Sequence, residues 1–253
     1  MENLNALAVS EYFYSLQGEG RTIGTPAIFL RLTGCNLLCG GQGAQRDNLP
    51  HDGATWVCDT IAVWMQGQTL PFAELLQRLE AQTDFLQRLR TGAHLVVTGG
   101  EPLLQQQRLV AFLQWLESEH QCRPVIEIET NATVLPLPAL DERVQFWNVS
   151  PKLVNSGMPD TRRRLPDVAR YFAQNPKTML KFVVQSDTDW FEIERDWLRE
   201  GYAQRHQIVL MPAAAERSHL HELLPRIAQL CIEQQVRMCS RLHIEIWNQK
   251  TGV

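Results

Sequence analysis

The chain has 253 residues, of which 44% are hydrophobic and 21% charged, and its net charge is −4. This size fits one α/β domain with a sizeable core, and an acidic chain without a basic stripe argues against nucleic acid as a partner. The one dense basic run, at residues 162–164, precedes Leu-Pro and is predicted to be a loop. No apolar run approaches the ~20 residues of a membrane span, and the acidic N-terminus does not resemble a secretory signal. We therefore expect a cytoplasmic protein whose cysteines stay reduced.

Predicted strands and helices alternate along the chain. The predicted strands are residues 27–32, 94–97, 124–130, 145–150, 179–184, 207–212 and 242–247. Apolar residues at helical spacing predict helices at residues 71–90, 103–120, 189–200 and 216–235. Alternation of this kind predicts parallel strands joined by helical crossovers, in an α/β fold that forms a partial, open parallel β/α barrel. Chemistry in such folds collects at the carboxyl ends of the strands.

Three cysteines follow the first predicted strand. Three residues separate Cys35 from Cys39, and eighteen separate Cys39 from Cys58. Thiolates suit zinc or an iron–sulfur cluster, but a structural zinc site usually has four protein ligands, and only His51 lies nearby. The spacing therefore favours an iron–sulfur cluster, with zinc or three unrelated cysteines as the alternatives. Cys231 falls on the apolar face of a predicted helix and is expected in the core.

Polar and glycine-rich motifs lie at other strand ends. In "VVTGGEP" the glycines allow a ligand close to the backbone, although a tight turn would look the same. In "YSLQGEG", Gln17 and Glu19 are able to reach a polar heterocycle, or they belong to a solvated turn. In "NVSPKL", Lys152 near Ser150 is either solvated or paired with an anion.

Together these motifs resemble those of the radical S-adenosylmethionine enzymes and, more closely, the 7-carboxy-7-deazaguanine synthase family. The resemblance rests on "YSLQGEGRTIGTPAIFLRLTGCNLLC", "CDT", "VVTGGEP", "IETNAT", "VSPKL" and "RLHIEIWNQKTGV". The family pattern Cys-x2-Cys-Asp-Thr is broken here, because Thr55 stands where the middle cysteine is expected. We therefore predict a single domain, residues 1–253, with an insertion at about residues 40–57 that forms a polar surface excursion inside the cluster-binding loop.

The resemblance implies a lyase that contracts the ring of 6-carboxy-5,6,7,8-tetrahydropterin to 7-carboxy-7-deazaguanine with loss of ammonia, in 7-deazapurine (queuosine) biosynthesis. A reduced [4Fe–4S] cluster would cleave S-adenosylmethionine, and the resulting radical would take hydrogen from the substrate, so no residue is expected to act as acid or base. The resemblance also implies Mg²⁺, a homodimer and an electron donor such as flavodoxin. The alternatives are another radical enzyme, such as a glycyl-radical activase, and a non-catalytic structural zinc-binding protein.

The resemblance also implies site residues. Cluster ligands would be Cys35, Cys39 and Cys58, with Thr60 as a Mg²⁺ ligand. Residues that bind S-adenosylmethionine would be Gly99, Gly100, Glu101, Ser150 and Lys152. Substrate-binding residues would be Leu16, Gln17, Gly18, Arg31, Thr98 and His243. Two of these have simpler explanations, since Thr60 is a candidate N-cap for a helix near Ile61 and Arg31 could be a surface residue on an edge strand.

Overall fold

The computed structural model describes residues 4–250 and 252. Within these residues one sheet contains the strands β1 (Ala6–Leu16), β2 (Pro26–Leu32), β3 (Gln68–Pro71), β4 (His94–Gly99), β5 (Ile126–Thr130), β6 (Phe146–Val149), β7 (Thr178–Val184), β8 (Ile208–Pro212) and β9 (Arg237–Met238). Their order across the sheet is β3-β1-β2-β4-β5-β6-β7-β8-β9. Neighbours from β2 to β9 are parallel, whereas β1 pairs antiparallel with β2 and β3. The sheet keeps two edges, so the prediction of an open, mostly parallel α/β fold is confirmed.

The described residues also form helices, most of which pack on the apolar face of the sheet. They are α1 (Ala44–Asp47), α2 (Ile61–Trp64), α3 (Phe72–Thr83), α4 (Phe85–Arg90), α5 (Gln106–His120), α6 (Pro138–Asp141), α7 (Asp160–Arg163), α8 (Pro166–Gln174), α9 (Asp187–Ile193), α10 (Arg217–Gln234) and α11 (Leu242–Trp247). Short 3-10 turns lie at Pro102–Gln105, Val154–Ser156 and Arg205–Gln207, and a π-helical turn at Glu194–Leu198 extends α9. Of the helices in the described part of the chain, none is long and apolar enough to cross a membrane.

Strand β5 shows how the two faces of the sheet differ. Ile126 and Ile128 are buried in the main apolar core, together with side chains of α5 such as Phe112. Because successive side chains of a strand point to opposite faces, Glu127 and Glu129 lie on the other face. At β5 that face is polar, and Glu129 lines the space in which the candidate site lies. The expected core position of Cys231 is confirmed, since it is buried in the same main core.

The prediction of a strand at residues 242–247 is wrong, because this segment forms α11. Its apolar residues alternate in the sequence, yet Ile244 is buried against α10 while Ile246 is 45% exposed. The backbone N–H of Leu242 donates to the carbonyl of Gly18 at 2.9 Å. The chain has therefore left the sheet edge at β9 before this segment begins, and no strand partner remains to hold it extended.

The basic run at residues 162–164 was predicted to be a loop. That prediction is wrong, because the run lies at the end of α7. Arg163 is buried, and its guanidinium pairs with Glu192 of α9 at 2.7 Å. A cation so deeply buried needs such a partner, and nothing local in the sequence points to one 29 residues away. The strands β1, β3 and β9 also escape the sequence analysis. β1 and β3 are joined to the sheet by antiparallel pairing, not by the strand–helix units that identify the others.

Candidate active site

One cavity of about 650 Å³ opens at the carboxyl ends of the parallel strands. It collects side chains from both ends of the chain and from most of the strands between them. The predicted site residues that line it are Leu16, Gln17, Gly18, Arg31, Cys35, Cys39, Cys58, Thr60, Thr98, Gly99, Gly100, Ser150, Lys152 and His243. The remaining predicted residue, Glu101, lies beneath the cavity wall.

The three cysteines of the loop after β2 share one side of the cavity. The backbone N–H of Cys58 donates to the carbonyl of Cys39 at 3.2 Å, so the ends of the eighteen-residue segment meet. Burial raises the pKa of Cys39 to about 12 and also raises that of Cys35, so both thiols stay protonated until a metal displaces the proton. Among residues 4–250 and 252, no three His, Cys, Asp or Glu side chains are grouped to bind a single metal ion. Cys35, Cys39 and Cys58 all line the cavity, and thiolates are the ligands that iron–sulfur clusters take in proteins.

The predicted insertion at residues 40–57 is more than a surface excursion. Its α1 helix is largely exposed, as its polar composition predicts. Its last residues, however, pack inward, since Trp56 and Val57 line the cavity. The indole N–H of Trp56 donates to Oδ1 of Asn155 at 2.9 Å. Part of this segment therefore belongs to the site, while its status as an insertion stays a prediction.

The glycine-rich turn after β4 touches the cysteine loop. A Cβ at Gly100 would lie 2.2 Å from the carbonyl oxygen of Gly34 and 2.6 Å from Cβ of Cys35. Real Cβ atoms do not approach so closely, so glycine is required for this contact. Thr98, at the end of the same strand, donates its hydroxyl to Glu129 at 2.8 Å. The turn thus fixes both the first cysteine and a carboxylate of the polar face.

Glu101 is fully buried and supports the cavity wall from behind. Its carboxylate accepts hydrogen bonds from the backbone N–H of Leu103 at 3.0 Å, the hydroxyl of Thr130 at 2.9 Å and the backbone N–H of Asn131 at 2.7 Å. Burial raises the pKa of Glu101 to about 7, although these hydrogen bonds favour the ionised form. Thr130 and Asn131 line the cavity themselves, so Glu101 reaches it only through them.

The loop after β6 contributes a cation. Nζ of Lys152 donates to Oγ of Ser150 at 3.1 Å. The same ammonium lies 5.7 Å from the centre of the Trp56 ring, within the range of a cation–π contact. Lys152 is therefore held at the cavity, where it is able to meet an anionic ligand.

The turn between β1 and β2 forms another part of the cavity wall. Nε2 of Gln17 lies 3.4 Å from carboxylate oxygens of both Glu127 and Glu129, and Gln17 is buried. The ring of His243 covers the next residue so closely that a Cβ at Gly18 would lie 2.3 Å from its Nδ1. Residues predicted from opposite ends of the sequence therefore meet here.

Arg31 lies on an inner strand, which excludes the edge-strand explanation, because β2 lies between β1 and β4. Its Nε pairs with Glu11 at 2.8 Å, and its side chain is 13% exposed. A guanidinium has further N–H groups beside Nε, so Arg31 is able to bind an anion in the cavity while Glu11 holds it in place.

Relatives of known function settle the family. Over 246 residues the chain is 34% identical to the 7-carboxy-7-deazaguanine synthase of Pyrobaculum aerophilum, a match that covers 96% of both proteins. The chain belongs to the 7-carboxy-7-deazaguanine synthase family. The synthase of Hyperthermus butylicus is 32% identical over 94% of this chain and 92% of its own length. No protein-family model matches the chain.

A solved structure supports the same fold. The crystal structure of QueE from Escherichia coli aligns with a TM-score of 0.58 and 22% identity, covering 94% of this chain and 95% of that one. At this identity the similarity concerns the fold alone. The two proteins thus share their fold over nearly the full length of both chains.

In this member of the 7-carboxy-7-deazaguanine synthase family, the cavity wall contains a network of charged residues. The sequence analysis does not predict this network. Lys181 of β7 pairs with Glu19, whose other oxygen accepts from Nε of Arg241 at 2.9 Å. Arg241 also pairs with Asp59, next to Cys58. Burial alone would raise the pKa of Glu19, but attraction to Lys181 and Arg241 outweighs it and holds that pKa well below its usual value.

Only part of this network leaves a trace in the sequence. Lys181 interrupts the apolar run "MLKFVV", and a charged residue inside a buried strand indicates a partner. Arg241 and Asp59 are 182 residues apart, and no local pattern joins them. The network links the cysteine loop to the C-terminal helix.

Thr60 precedes α2 at the N-cap position but does not act as a cap, because its side chain makes no capping hydrogen bond. Its hydroxyl lies 3.5 Å from Sγ of Cys58 and lines the cavity. The N-cap explanation for Thr60 therefore lacks the hydrogen bond that it requires, and the hydroxyl is free of α2 and faces the cavity.

Proposed function

We propose that this chain contracts the ring of 6-carboxy-5,6,7,8-tetrahydropterin to 7-carboxy-7-deazaguanine, with loss of ammonia, in 7-deazapurine biosynthesis. The similarity to 7-carboxy-7-deazaguanine synthase over 96% of both chains carries the proposal. The cavity agrees with it, since it holds thiols, glycine turns and a polar end in one space of about 650 Å³.

Cys35, Cys39 and Cys58 would hold a [4Fe–4S] cluster at their side of the cavity. When bound, the cluster and S-adenosylmethionine supply the one-electron chemistry of the reaction. The chain itself binds, orients and shields the reactants. Accordingly, no side chain is assigned as a general acid or base.

S-adenosylmethionine would lie along the strand ends beside the cluster. The backbone of Gly99 and Gly100 would approach its methionine portion, and Lys152 with Ser150 would meet its carboxylate and ribose. The buried position of Glu101 makes its part indirect, because its carboxylate fixes Thr130 and Asn131 at the cavity wall.

The pterin would occupy the end formed by the β1–β2 turn. Leu16, Gln17 and Gly18 would meet its ring edge, with His243 above Gly18. Arg31 would bind the substrate carboxylate through a charge-assisted pair worth roughly 1.5–3 kcal/mol, and Glu11 would keep the guanidinium in position.

Thr98 would complete the substrate end, where its hydroxyl is fixed by Glu129. A Mg²⁺ ion would bind at Thr60, since Mg²⁺ prefers oxygen ligands and accepts few from the protein when substrate and water supply the rest. We further propose a cytoplasmic homodimer that receives electrons from a donor such as flavodoxin.

The decisive experiment is an assay under anaerobic conditions. The reconstituted protein is incubated with a reductant, S-adenosylmethionine and the carboxypterin, and product and ammonia are quantified. We expect equal amounts of deazaguanine and ammonia, and no product from Cys35→Ala. A protein that carries a full cluster, cleaves S-adenosylmethionine and leaves the pterin unchanged would refute the proposed substrate.

A further inference from the structure

Eighteen residues separate the second and third cysteines, yet both flanks of this segment rest on one short turn. On the side of the second cysteine, the backbone N–H of Gly40 donates to the carbonyl of Ser156 at 2.9 Å. Leu38, just before Cys39, also contacts this region, since its N–H lies 3.4 Å from Sδ of Met158. The Val154–Ser156 turn and the residues after it thus hold the chain on both sides of Cys39.

The chain just before the third cysteine, Cys58, contacts Asn155, the residue next to Ser156. The N–H of Thr55 donates to the carbonyl of Asn155 at 2.9 Å. The indole N–H of Trp56 donates to the side-chain oxygen of Asn155, also at 2.9 Å. These two contacts lie three and two residues before Cys58. One turn therefore contacts the chain near both cysteines.

We propose that Asn155 is a positioning residue that sets the place of Cys58 relative to Cys39 and so lets a loop with a long insertion bind a cluster. The inference rests on the proposed function, because it assumes that these thiols share a cluster. Without the contacts to Asn155, the segment between Cys39 and Cys58 would lose many conformations on cluster binding, since closure entropy grows with loop length.

Asn155 is suited to this role because it is itself fixed. It is 6% exposed, and its Nδ2 donates to the carbonyl of Val183 at 3.0 Å and to Asp189 at 2.9 Å. The preceding N–H, of Val154, donates to the carboxylate of Glu192 at 2.9 Å. The turn is thereby joined to β7 and α9, which are parts of the scaffold outside the cysteine loop.

The tip of the same segment is built differently. In α1, Gln45, Arg46 and Asp47 are exposed to solvent. The structure thus divides residues 40–57 into an exposed tip and two packed flanks. Changes at the tip should leave the cysteines in place, whereas loss of the contacts to Asn155 should release Cys58.

The test measures how fast iron leaves the cluster of the full-length, anaerobically reconstituted protein when a chelator is added. The variants are Asn155→Ala, Trp56→Phe, which loses the indole N–H, and the double variant. Two controls are matched to them: Arg46→Ala at the tip, and Asn175→Ala. Asn175 is a buried amide whose Nδ2 also donates to an aspartate, Asp141, at 2.9 Å, but it lies away from the cysteine loop.

We expect iron loss to be about 5-fold to 10-fold faster in Asn155→Ala, the size expected when the buried hydrogen bond from the Trp56 indole is lost. Trp56→Phe should accelerate it too, and the double variant should add little, because both remove the same contact. Asn175→Ala should lower the unfolding midpoint without changing the rate of iron loss, and Arg46→Ala should change neither.

Two outcomes would overturn the inference. One is wild-type iron retention in Asn155→Ala, and the other is an equal acceleration in Asn175→Ala, which would mean that general destabilisation is the cause. Both leave the proposed function intact, since the wild type still binds its cluster. A wild-type protein that binds no cluster after reconstitution would refute the proposed function and the inference together.

Discussion

Thr60 is a residue for which two roles now predict different results. Because its hydroxyl makes no capping bond to α2, Thr60→Ala should lower the free energy of unfolding by much less than the roughly 1 kcal/mol of a lost N-cap. If the hydroxyl binds Mg²⁺, the variant should instead lose most of the increase in turnover that Mg²⁺ gives the wild type. Denaturant unfolding and turnover over a Mg²⁺ titration measure the two effects.

Thr60→Ser provides the control, because it keeps the hydroxyl and should keep the response to Mg²⁺. A loss of stability near 1 kcal/mol in Thr60→Ala, with an unchanged Mg²⁺ response, would return Thr60 to the role of a cap. Wild-type turnover that is insensitive to Mg²⁺ after chelation would also contradict the metal site.

Gly100 lies too close to the cysteine loop to carry a side chain. A methyl group there would meet the carbonyl oxygen of Gly34 at 2.2 Å, so Gly100→Ala should displace the start of the cysteine loop. We expect fewer iron atoms per chain after reconstitution, together with weaker binding of S-adenosylmethionine by calorimetry. Gly24→Ala is the control for backbone strain without a clash, because Gly24 has a positive φ of 88° and no atom lies within 4 Å of its Cβ position. A full iron load with normal cofactor affinity in Gly100→Ala would contradict this account.

Glu101 predicts a dependence of stability on pH. Burial raises its pKa from 4.5 in the unfolded chain to about 7 in the folded protein. Between these values the folded protein holds a proton that the unfolded chain has lost, so this group makes stability fall as pH rises through the window. At about 1.4 kcal/mol per pKa unit, the decrease is on the order of 3 kcal/mol.

The variant Glu101→Gln cannot ionise and should lack this decrease. The measurement is the free energy of unfolding between pH 4.5 and 7.5 in both proteins, compared as a difference so that other titrating groups cancel. An identical slope in the two proteins would show that Glu101 does not titrate in this range.

The C-terminal helix α11 depends on Arg241, the residue that precedes it. Arg241 pairs with Glu19 of the β1–β2 turn and with Asp59 of the cysteine loop. Arg241→Gln leaves two carboxylates without this cation, and breaking a buried pair costs up to about 3–5 kcal/mol. Because Asp59 is partly exposed, Arg241→Gln should lower the free energy of unfolding by about 3 kcal/mol or less. We expect faster proteolysis within residues 237–250 and a raised KM for the pterin.

Arg217→Gln is the matched control for this prediction. Arg217 also holds the C-terminal segment, through the carbonyl of Ile246 at 3.0 Å, but it is outside the charge network. A higher KM should therefore follow only from Arg241→Gln. Equal kinetic effects of the two variants would mean that the network has no role in the cavity beyond holding α11.

At the level of elements, the sequence was informative where strand and helix alternate. The predicted segments 94–97 and 207–212 overlap β4 and β8, because apolar runs between turn residues indicate buried parallel strands. The same rule failed at residues 242–247, where alternating apolar residues fold as α11. The predicted helix at 71–90 is two helices, since Asp84 adopts a left-handed conformation with φ of 47° between α3 and α4. Periodicity identifies a buried face, but not what pairs with it.

At the level of the whole molecule, the candidate site is assembled from contacts that span the chain. The strand ends could be predicted to converge, because parallel strands place their carboxyl ends at one edge. The closeness of Gly18 to His243 was not predictable in this way, although both residues were assigned to the substrate from the family resemblance. The Arg163–Glu192 and Arg241–Glu19 pairs could not be predicted either, since each joins residues that no local pattern relates.

Helix α11 begins soon after β9, the strand at one edge of the sheet, and contacts the turn between β1 and β2, which lie near the other edge. The backbone N–H of Leu242 donates to Gly18 of the β1–β2 turn, and Arg241 links the same helix to the cysteine loop. A ligand that fills the cavity should contact both sides and hold α11 in place. In hydrogen exchange of the reconstituted protein, S-adenosylmethionine and the pterin together should therefore slow exchange at residues 241–250 and 17–25. α8, which packs on the apolar side of the sheet, is the internal control and should exchange at the same rate with and without ligands. Protection spread evenly over α8 and α11, or none at α11, would show that the C-terminal helix does not close over the bound ligands.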